Sequence, residues 1–305
     1  MNNELPKVCV IVATYNGEKY LQNQIDSILM QEGVNLSIIA RDDGSTDKTV
    51  DILSEYEDKG LLRLFKGDNL GPADNFYKST QEAPIFEYYA WSDQDDIWDK
   101  DKLIKGIEAI RRLSGPALYY SASRTIDAEE NVMGLIGYEN PSLTFEQALI
   151  QSKAQGCTFI FNESLYLASK KYTPCFKRLG ILHDAWLHRM CLSIGGVVVH
   201  DPTPHMSYRI HESNVIAQMP TNSIFQRIDR ATRINSLHYC SDVAQALIDG
   251  YGEMMTPSNY ELAKIMAEYR NNALFKLRLL LGHRIRVNSW KDNIKFKYNV
   301  LLNRM

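Results

Sequence analysis

The sequence is poor in the features that would set it apart from ordinary globular enzymes. Its 305 residues contain five cysteines, and their irregular spacing predicts free thiols rather than a disulfide framework. No run approaches the ~18 apolar residues that a membrane-spanning helix needs, and the first residues lack the basic segment of a secretory signal. These absences argue against a disulfide scaffold and a membrane channel, and we expect a cytoplasmic protein.

The chain also has little excess charge of either sign, because 34 basic and 37 acidic side chains leave a net charge of −3. This near balance hides a basic tail. Residues 270–305 carry nine Lys or Arg against one acid, Asp292, which gives this segment +8 and the rest of the chain −11. An acidic body argues against nucleic-acid binding, whereas the tail predicts a local anionic partner.

Short β-branched runs alternate with helical patterns along the first half of the chain. Strands are expected at 8–14, 36–40, 61–65 and 85–90, with helices beginning near Gly17, after Ser45 as N-cap, near Pro72 and near Asp99. This alternation is typical of an α/β fold whose mostly parallel central sheet is flanked by helices. Ligands of such sheets bind at the carboxyl ends of the strands.

The second half continues this pattern and then becomes helical. Further strands are expected at 118–123, 157–161 and 196–200, a helix at 182–194, and long helical patterns at 222–249, 258–281 and 289–303. Since single cores stop growing near ~250 residues, we place a boundary at about 218. Residues 1–218 would form the catalytic domain, and residues 219–305 a helical C-terminal extension.

An acidic cluster follows the fourth predicted strand. The segment WSDQDDIWD at 91–99 contains Asp93, Asp95, Asp96 and Asp99. Carboxylates crowded in this way repel one another unless a hard cation neutralises them, and oxygen ligands are what Mg²⁺ or Mn²⁺ prefers. The cluster therefore predicts a divalent metal site at the carboxyl edge of the sheet.

Several motifs in a fixed order resemble a known enzyme family. The segments VCVIVATYNGEKYL, IARDDGSTDKT and YAWSDQDDIWDKDKL resemble the nucleotide-sugar-binding half of family 2 glycosyltransferases, which are inverting enzymes of the GT-A fold. The resemblance continues through GCTFIFN (156–162), HDAW (183–186) and YRIHESN (208–214), and so covers about 1–215. The motif set SDQDDIW, HDAW and YRxHxxN is most similar to that of bacterial rhamnosyltransferases of cell-wall rhamnan synthesis. It implies L-rhamnose transfer from dTDP-β-L-rhamnose.

The resemblance also implies a role for individual residues. Thr14, Tyr15 and Asn16 would line the base pocket, Asp43 would accept the pyrimidine N3–H, Asp93 would face the ribose, and Asn75 and Gly156 would lie near the donor. Asp95 and His211 would hold the Mg²⁺ or Mn²⁺ ion, and Arg209 would contact the diphosphate. Simpler interpretations stay open, because an Asn-Gly turn explains residues 14–17, and Asp42 or Asp47 could be helix-capping acids.

The HDAW motif supplies the expected acid–base chemistry. Asp184 opens an amphipathic pattern and matches the family's general base, which would deprotonate the acceptor hydroxyl. A helix N-cap alone would also explain an aspartate at this position. Trp186 would offer a flat aromatic face to a sugar, and Cys157 would be a small buried filler rather than a nucleophile.

The basic tail mixes Leu, Ile, Phe and Trp with Lys and Arg at helical spacing. Such helices bind the interface of anionic membranes. This predicts a peripheral protein on the inner face of the plasma membrane, with a lipid-linked saccharide as acceptor. The alternatives are packing of these helices on the catalytic domain, with snorkelling basic residues, or a homodimer contact.

The same sequence features are compatible with other functions. The donor could be a different UDP- or dTDP-sugar, and the chain could be a non-catalytic scaffold that binds a nucleotide sugar. A nucleotidyltransferase would need a glycine-rich, basic loop after the first strand to bind triphosphate. The segment ATYNGEKY provides no such loop.

Overall fold

The structure is a computed structural model, and it describes residues 4–139, 141–211, 239–282, 284–285 and 290–305. The first part contains β1 (Lys7–Thr14), α1 (Leu21–Leu29), β2 (Asn35–Asp42), α2 (Thr49–Asp58), β3 (Arg63–Lys66), α3 (Pro72–Glu82), β4 (Tyr88–Ser92), β5 (Ile97–Trp98) and α4 (Lys102–Ile110). It continues with β6 (Ala117–Ser121), β7 (Ser123–Ile126), β8 (Val132–Ile136), α5 (Phe145–Ile150), a 3₁₀ turn (Gly156–Thr158), β9 (Ile160–Asn162), α6 (Glu163–Ser169), α7 (Phe176–Leu179), α8 (His183–Ser193), β10 (Val197–Asp201) and β11 (Met206–Arg209). The C-terminal helices are α9 (Tyr239–Tyr251), α10 (Pro257–Glu268), α11 (Ala273–Leu281) and α12 (Trp290–Leu301).

Seven strands form the central sheet in the order β10-β6-β9-β4-β1-β2-β3. Strand β1 is an interior strand beside the central β4, pairs in parallel with β2 and β4, and is buried from its second residue onward. Burial on both faces explains its unbroken apolar sequence. The predicted mostly parallel α/β sheet is confirmed. Strand β9, however, runs antiparallel to β4 and β6, a direction that no local pattern encodes.

A second, four-stranded sheet has the order β5-β11-β7-β8. Strand β5 belongs to the acidic segment after β4, and β11 pairs with it antiparallel, at Met206 opposite Trp98 and Ser207 opposite Ile97. This pairing brings the end of β11 beside the acidic segment. The small sheet therefore joins two motifs that are about 110 residues apart in the sequence.

Two helix beginnings differ from the prediction. Helix α2 begins at Thr49, and Ser45 is not its N-cap, because the Ser45 hydroxyl donates to Asp42 and accepts the Asn16 N–H at 2.9 Å. Helix α4 begins at Lys102, three residues after Asp99, whose carboxylate pairs with Arg124. In both cases a partner distant in sequence competes successfully with the nearby helix end.

The C-terminal helices are confirmed within the described residues, and α9 and α10 share one continuous core with the α/β part of the chain. The predicted helix at 258–281 is two helices, because the Asn272 side chain accepts the N–H groups of Leu274 and Phe275 and so begins α11. The boundary at 218 and the helical pattern over 222–238 lie outside the described residues. Of the described helices, none is both long and apolar enough to cross a bilayer.

Candidate active site

A cleft of about 500 Å³ opens at the carboxyl ends of β1, β2 and β4. Of the residues predicted to bind donor or metal or to act as base, those that line it are Thr14, Tyr15, Asp43, Asn75, Asp93, Asp95, Gly156 and Asp184. These come from segments spread over 170 residues of sequence. The parallel strands bring their ends to one edge, as the sequence pattern predicts.

One side of the cleft, which we call the arginine corner, consists of Arg41, Asp43 and Asn75. Arg41 is buried at the end of β2, and one of its nitrogens donates to Asp43 and to Asn75 at 2.7 Å each. The Asp43 carboxylate also accepts the backbone N–H groups of Leu70 and Gly71, at 3.0 and 2.8 Å. Buried charges need such partners, so Asp43 is held in a fixed orientation before any ligand binds. The sequence analysis did not identify Arg41.

The turn after β1 is bound to two other loops. The Gln94 side chain accepts the Tyr15 N–H at 2.8 Å and donates to the Tyr15 carbonyl at 2.9 Å. Asn16 has a φ of 47°, and its side chain accepts the Thr46 N–H at 2.8 Å. Tyr15 therefore borders the cleft, while the Asn16 side chain faces the loop after β2. Gln94 is a further lining residue that sequence reasoning missed.

Thr14 contributes to the cleft mainly through its backbone. Its side-chain hydroxyl is buried and donates to Asp42 at 3.1 Å. The Thr14 carbonyl accepts the Asp43 N–H at 2.9 Å. This contact ties the ends of β1 and β2 together below the arginine corner.

The opposite side, which we call the acidic corner, consists of Asp93, Asp95, Asp96 and His211. One Asp95 oxygen lies 2.7 Å from His211 Nε2. Burial and the neighbouring carboxylates raise the pKa of Asp93 to about 8 and raise that of Asp96 as well. One buried Asp96 oxygen has no hydrogen-bond partner among the described residues. The corner therefore holds more carboxylate than its protein partners neutralise.

The donor set of the acidic corner fits a hard divalent cation. Ligand atoms of Asp93, Asp96 and Cys157 lie within 4.8 Å of one another. Burial raises the pKa of the Cys157 thiol well above its usual range, which leaves the carboxylates as the available anionic ligands. Lys102 lies against the Trp98 ring, and burial lowers its pKa to about 7, so it offsets only part of the acidic charge.

Arg209, which the family resemblance predicts to contact a diphosphate, is not among the residues that line the cleft. Its side chain is 1% exposed and donates to the Asp95 carbonyl at 3.0 Å and to Glu130 at 3.0 Å. The guanidinium also lies over the Tyr20 ring. Because protein groups occupy it, Arg209 positions the Asp95 backbone instead of reaching the cleft.

Asp184 lies in the first turn of α8, where it borders the cleft. Its oxygens accept the Gly156 N–H at 3.3 Å and the Ala185 N–H at 2.6 Å. Leu182 is the N-cap, so capping does not account for Asp184. A Cβ on Gly156 would lie 2.9 Å from the Asp184 Cβ, which explains a glycine at this position.

His183 forms part of the same wall. Its ring stacks on Phe76 with centroids 4.1 Å apart. Burial lowers the pKa of His183 to about 4, so the imidazole is neutral near pH 7. It gives this side of the cleft a flat and uncharged surface next to Asp184.

Trp186, which is predicted to face a sugar, is also not among the residues that line the cleft. Its side chain is fully buried and packs against Tyr172 and Tyr251. Residues two positions apart on a helix point to nearly opposite sides, so Trp186 faces the core when Asp184 faces the cleft.

The cleft is rich in carboxyl groups and poor in basic side chains. Asp43, Asp93, Asp95 and Asp184 line it, and Lys153 is the one lysine or arginine among its described lining residues. An anionic ligand would meet net repulsion here unless a cation accompanied it. The acidic corner is where such a cation finds oxygen ligands.

Comparison with known proteins agrees with this geometry. Residues 9–161 match the family model described as glycosyl transferase family 2. The dTDP-rhamnosyl transferase RfbG of Shigella flexneri is 28% identical over 214 residues, which cover 67% of this chain and 73% of that protein. The putative teichuronic acid biosynthesis glycosyltransferase TuaG of Bacillus subtilis is 32% identical over 151 residues, or 49% of this chain and 59% of that protein.

Solved structures share the fold. S. aureus TarS 1-349 in complex with UDP-GlcNAc has a TM-score of 0.60 and 17% sequence identity, and the match covers 98% of this chain and 82% of TarS 1-349. The same fragment in complex with UDP has a TM-score of 0.56. This likeness concerns the fold, and it confirms the predicted GT-A arrangement.

Proposed function

Because this chain belongs to glycosyl transferase family 2 and is a glycosyltransferase, we propose that it is inverting and metal-dependent. In this proposal it moves L-rhamnose from dTDP-β-L-rhamnose to a lipid-linked, rhamnose-containing oligosaccharide of cell-wall polysaccharide synthesis. The observation that carries the proposal is the meeting of Asp184 with Asp93 and Asp95 in one cleft. A base and an acidic, metal-binding edge are the two parts that sugar transfer from a nucleotide requires.

Asp184 is the base in this proposal. Its carboxylate removes the proton from the acceptor hydroxyl as that oxygen attacks the anomeric carbon. The attack comes from the face opposite the nucleotide, so one displacement inverts the configuration. The bonds from Gly156 and Ala185 hold the carboxylate in position, and a positioned base contributes about 10²- to 10⁴-fold to the rate.

The acidic corner is the proposed Mg²⁺ or Mn²⁺ site. Asp95 would hold the ion together with His211, its hydrogen-bond partner at 2.7 Å, and Asp93 would be a third ligand. When bound, a divalent ion neutralises the charge of the departing nucleoside diphosphate. The scarcity of basic side chains in the cleft supports this assignment.

Two observations support the choice of donor. The likeness to a protein named dTDP-rhamnosyl transferase supports rhamnose, and the fixed Asp43 carboxylate suits the N3–H of a thymine or uracil ring. The alternative is another UDP- or dTDP-sugar, and the TarS complex with UDP-GlcNAc is the observation that favours it. A non-catalytic scaffold would use the same cleft for binding alone.

Helices α11 and α12 are the proposed membrane contact. Leu274, Leu281, Trp290 and Ile294 are each more than half exposed, and the same segment carries the basic tail. Exposed apolar and basic side chains together suit the interface of an anionic bilayer. This would keep the enzyme peripheral on the inner face of the plasma membrane, near a lipid-linked acceptor. Flotation with vesicles containing anionic lipid tests it, and a concentration-dependent dimer without vesicle binding would contradict it.

The decisive experiment measures sugar transfer by wild type and by Asp184→Asn. Product from dTDP-rhamnose, Mn²⁺ and a rhamnoside acceptor is quantified by mass spectrometry, and donor binding by calorimetry. We expect a loss of about 10²- to 10⁴-fold in turnover with donor affinity retained. Asp249→Asn, an exposed acid on α9, is the matched control. Near-full turnover by Asp184→Asn would show that the base is wrongly assigned.

A further inference from the structure

A second cavity of about 400 Å³ lies beside the catalytic cleft. Its described lining includes Tyr120, Tyr138, Glu139 and Gln151. Lys153 and Gln155 line both this cavity and the cleft. The two spaces are therefore neighbours that share one short segment of chain as a common wall.

The shared wall leads directly to the proposed base. Gln155 is followed by Gly156, whose N–H donates to Asp184 at 3.3 Å. From Lys153 to Gly156 the chain can span at most about 10 Å. A ligand whose reacting hydroxyl lies at Asp184 would therefore reach the second cavity by extending across Gln155.

The wall is held in place from the far side. The Gln155 side chain accepts the Ser123 hydroxyl at 3.3 Å. Gly137, with a φ of +76°, allows this approach, because a Cβ there would lie 2.8 Å from the Gln155 oxygen. The Gly137 carbonyl in turn lies 2.7 Å from His200 Nε2. The Gln155 side chain is thus held by the bond from Ser123 and by its close approach to Gly137.

The chemistry of the second cavity suits a neutral saccharide. Tyr138 is 45% exposed and offers an aromatic face, while Glu139, Gln151 and Lys153 supply acceptors and donors. The buried Tyr120 hydroxyl has no hydrogen-bond partner among the described residues. Sugars combine apolar C–H faces with hydroxyls that both donate and accept, and pockets for such ligands pair aromatic surface with a few polar groups.

We propose that this cavity binds the acceptor sugar next to the one that carries the reacting hydroxyl. The inference rests on the proposed function, because it uses Asp184 as the point where the acceptor reacts. It adds a second sugar-binding position, with Tyr138 as its aromatic contact. The enzyme would then recognise a disaccharide end better than a single sugar.

The test compares two acceptors, octyl α-L-rhamnopyranoside and the corresponding octyl dirhamnoside, with dTDP-rhamnose and Mn²⁺. For Tyr138→Ala we expect the KM of the dirhamnoside to rise about tenfold, as for loss of one aromatic contact, and the KM of the monorhamnoside to change less than twofold. Tyr138→Phe keeps the ring and should keep most of the wild-type preference. Tyr260→Ala, a similarly exposed tyrosine that lines neither cavity, is the control.

The outcomes separate the two proposals. Transfer by wild type with an unchanged dirhamnoside KM in Tyr138→Ala overturns the second sugar position alone, and so does donor hydrolysis by wild type without transfer to either acceptor. An equal rise for both acceptors, or a rise in the KM of the donor, also overturns it. Absence of both transfer and hydrolysis in wild type overturns the proposed function, and the inference falls with it.

Discussion

The two corners of the cleft solve the problem of buried charge in different ways. In the arginine corner, the Asp43 carboxylate is paired with Arg41 and accepts two backbone N–H groups. In the acidic corner, Asp93 and Asp96 lie close together, and their pKa values are raised by burial and by the neighbouring Asp95. One corner is complete within the protein, and the other needs a positive charge from outside.

The two corners therefore suit two different tasks, ligand recognition and metal binding. A carboxylate with a fixed orientation can select a ring N–H without moving, which favours specific binding. A crowded, incompletely neutralised set of carboxylates instead favours the arrival of a cation, because ligand binding relieves the repulsion. We therefore expect damage to the arginine corner to reduce stability, and damage to the acidic corner to change how the protein responds to pH and metal.

The largest expected effect is that of Arg41→Met. Removing the cation leaves Asp43 buried and incompletely paired and also takes away a donor to Asn75, so we expect a loss of about 3 to 5 kcal/mol in the free energy of unfolding. Urea denaturation measures it. Arg63→Met is the matched control, since Arg63 is an exposed arginine of β3 that lies over the Phe65 ring and should cost about 1 kcal/mol or less. Equal losses for both variants would remove the distinction between the corners.

The next effect concerns Gly156, whose N–H donates to the proposed base Asp184. In Gly156→Ala the new methyl group would lie 2.9 Å from the Asp184 Cβ and 3.1 Å from His183 Nε2. Because a shift of about 1 Å in a catalytic group can cost 10²-fold, we expect turnover to fall about ten- to a hundredfold. Stopped assays of sugar transfer measure it. Gly134→Ala, where the nearest atom would be 3.7 Å away, should keep its rate, and a similar loss there would point to a general effect on folding.

The sequence alone predicts the edge of the cleft well, for a physical reason. Buried β-branched runs identify β1 and β2, and an apolar, aromatic run identifies β4. Parallel strands must end on the same edge, so the acidic segment and Asp43 could be placed together. Partners separated by long stretches of chain could not be predicted. Arg209 is held by Glu130, which lies 79 positions earlier, and Gly156 meets Asp184 from another element. Trp186 was predictable in principle, because helical geometry places it opposite Asp184.

A smaller effect separates the corners by pH. In wild type the pKa of Asp93 is raised to about 8 from 3.8, so between these values the folded chain keeps a proton that the unfolded chain releases. Stability therefore falls as pH rises through this window. Asn does not titrate. In EDTA, the Tm of Asp93→Asn minus the Tm of wild type should therefore increase by about 2 to 4 °C between pH 5 and pH 8. This range is reduced for solvent screening, because Asp93 is partly exposed.

Metal provides the internal control for this pH effect. Saturating Mn²⁺ favours ionised ligands, so it should stabilise wild type more at pH 8 than at pH 5. It should stabilise Asp93→Asn less than wild type at pH 8. A Tm difference that stays constant with pH in EDTA would mean that Asp93 is not held in its protonated form, and that the acidic corner is less crowded than its geometry indicates.

The smallest expected effect tests whether Asn16 belongs to the nucleotide-binding surface around Asp43. Asn16→Gly keeps the left-handed backbone, since a φ of 47° suits glycine, and it removes the bond to the Thr46 N–H. The loss of one partly exposed hydrogen bond should cost about 1 kcal/mol. Because the Asn16 side chain faces Thr46, the dissociation constant for dTDP measured by calorimetry should stay within about twofold. A tenfold weaker dTDP complex would instead show that Asn16 contacts the nucleotide, as the family resemblance implies. The nucleotide-binding surface would then extend from Asp43 to the turn after β1.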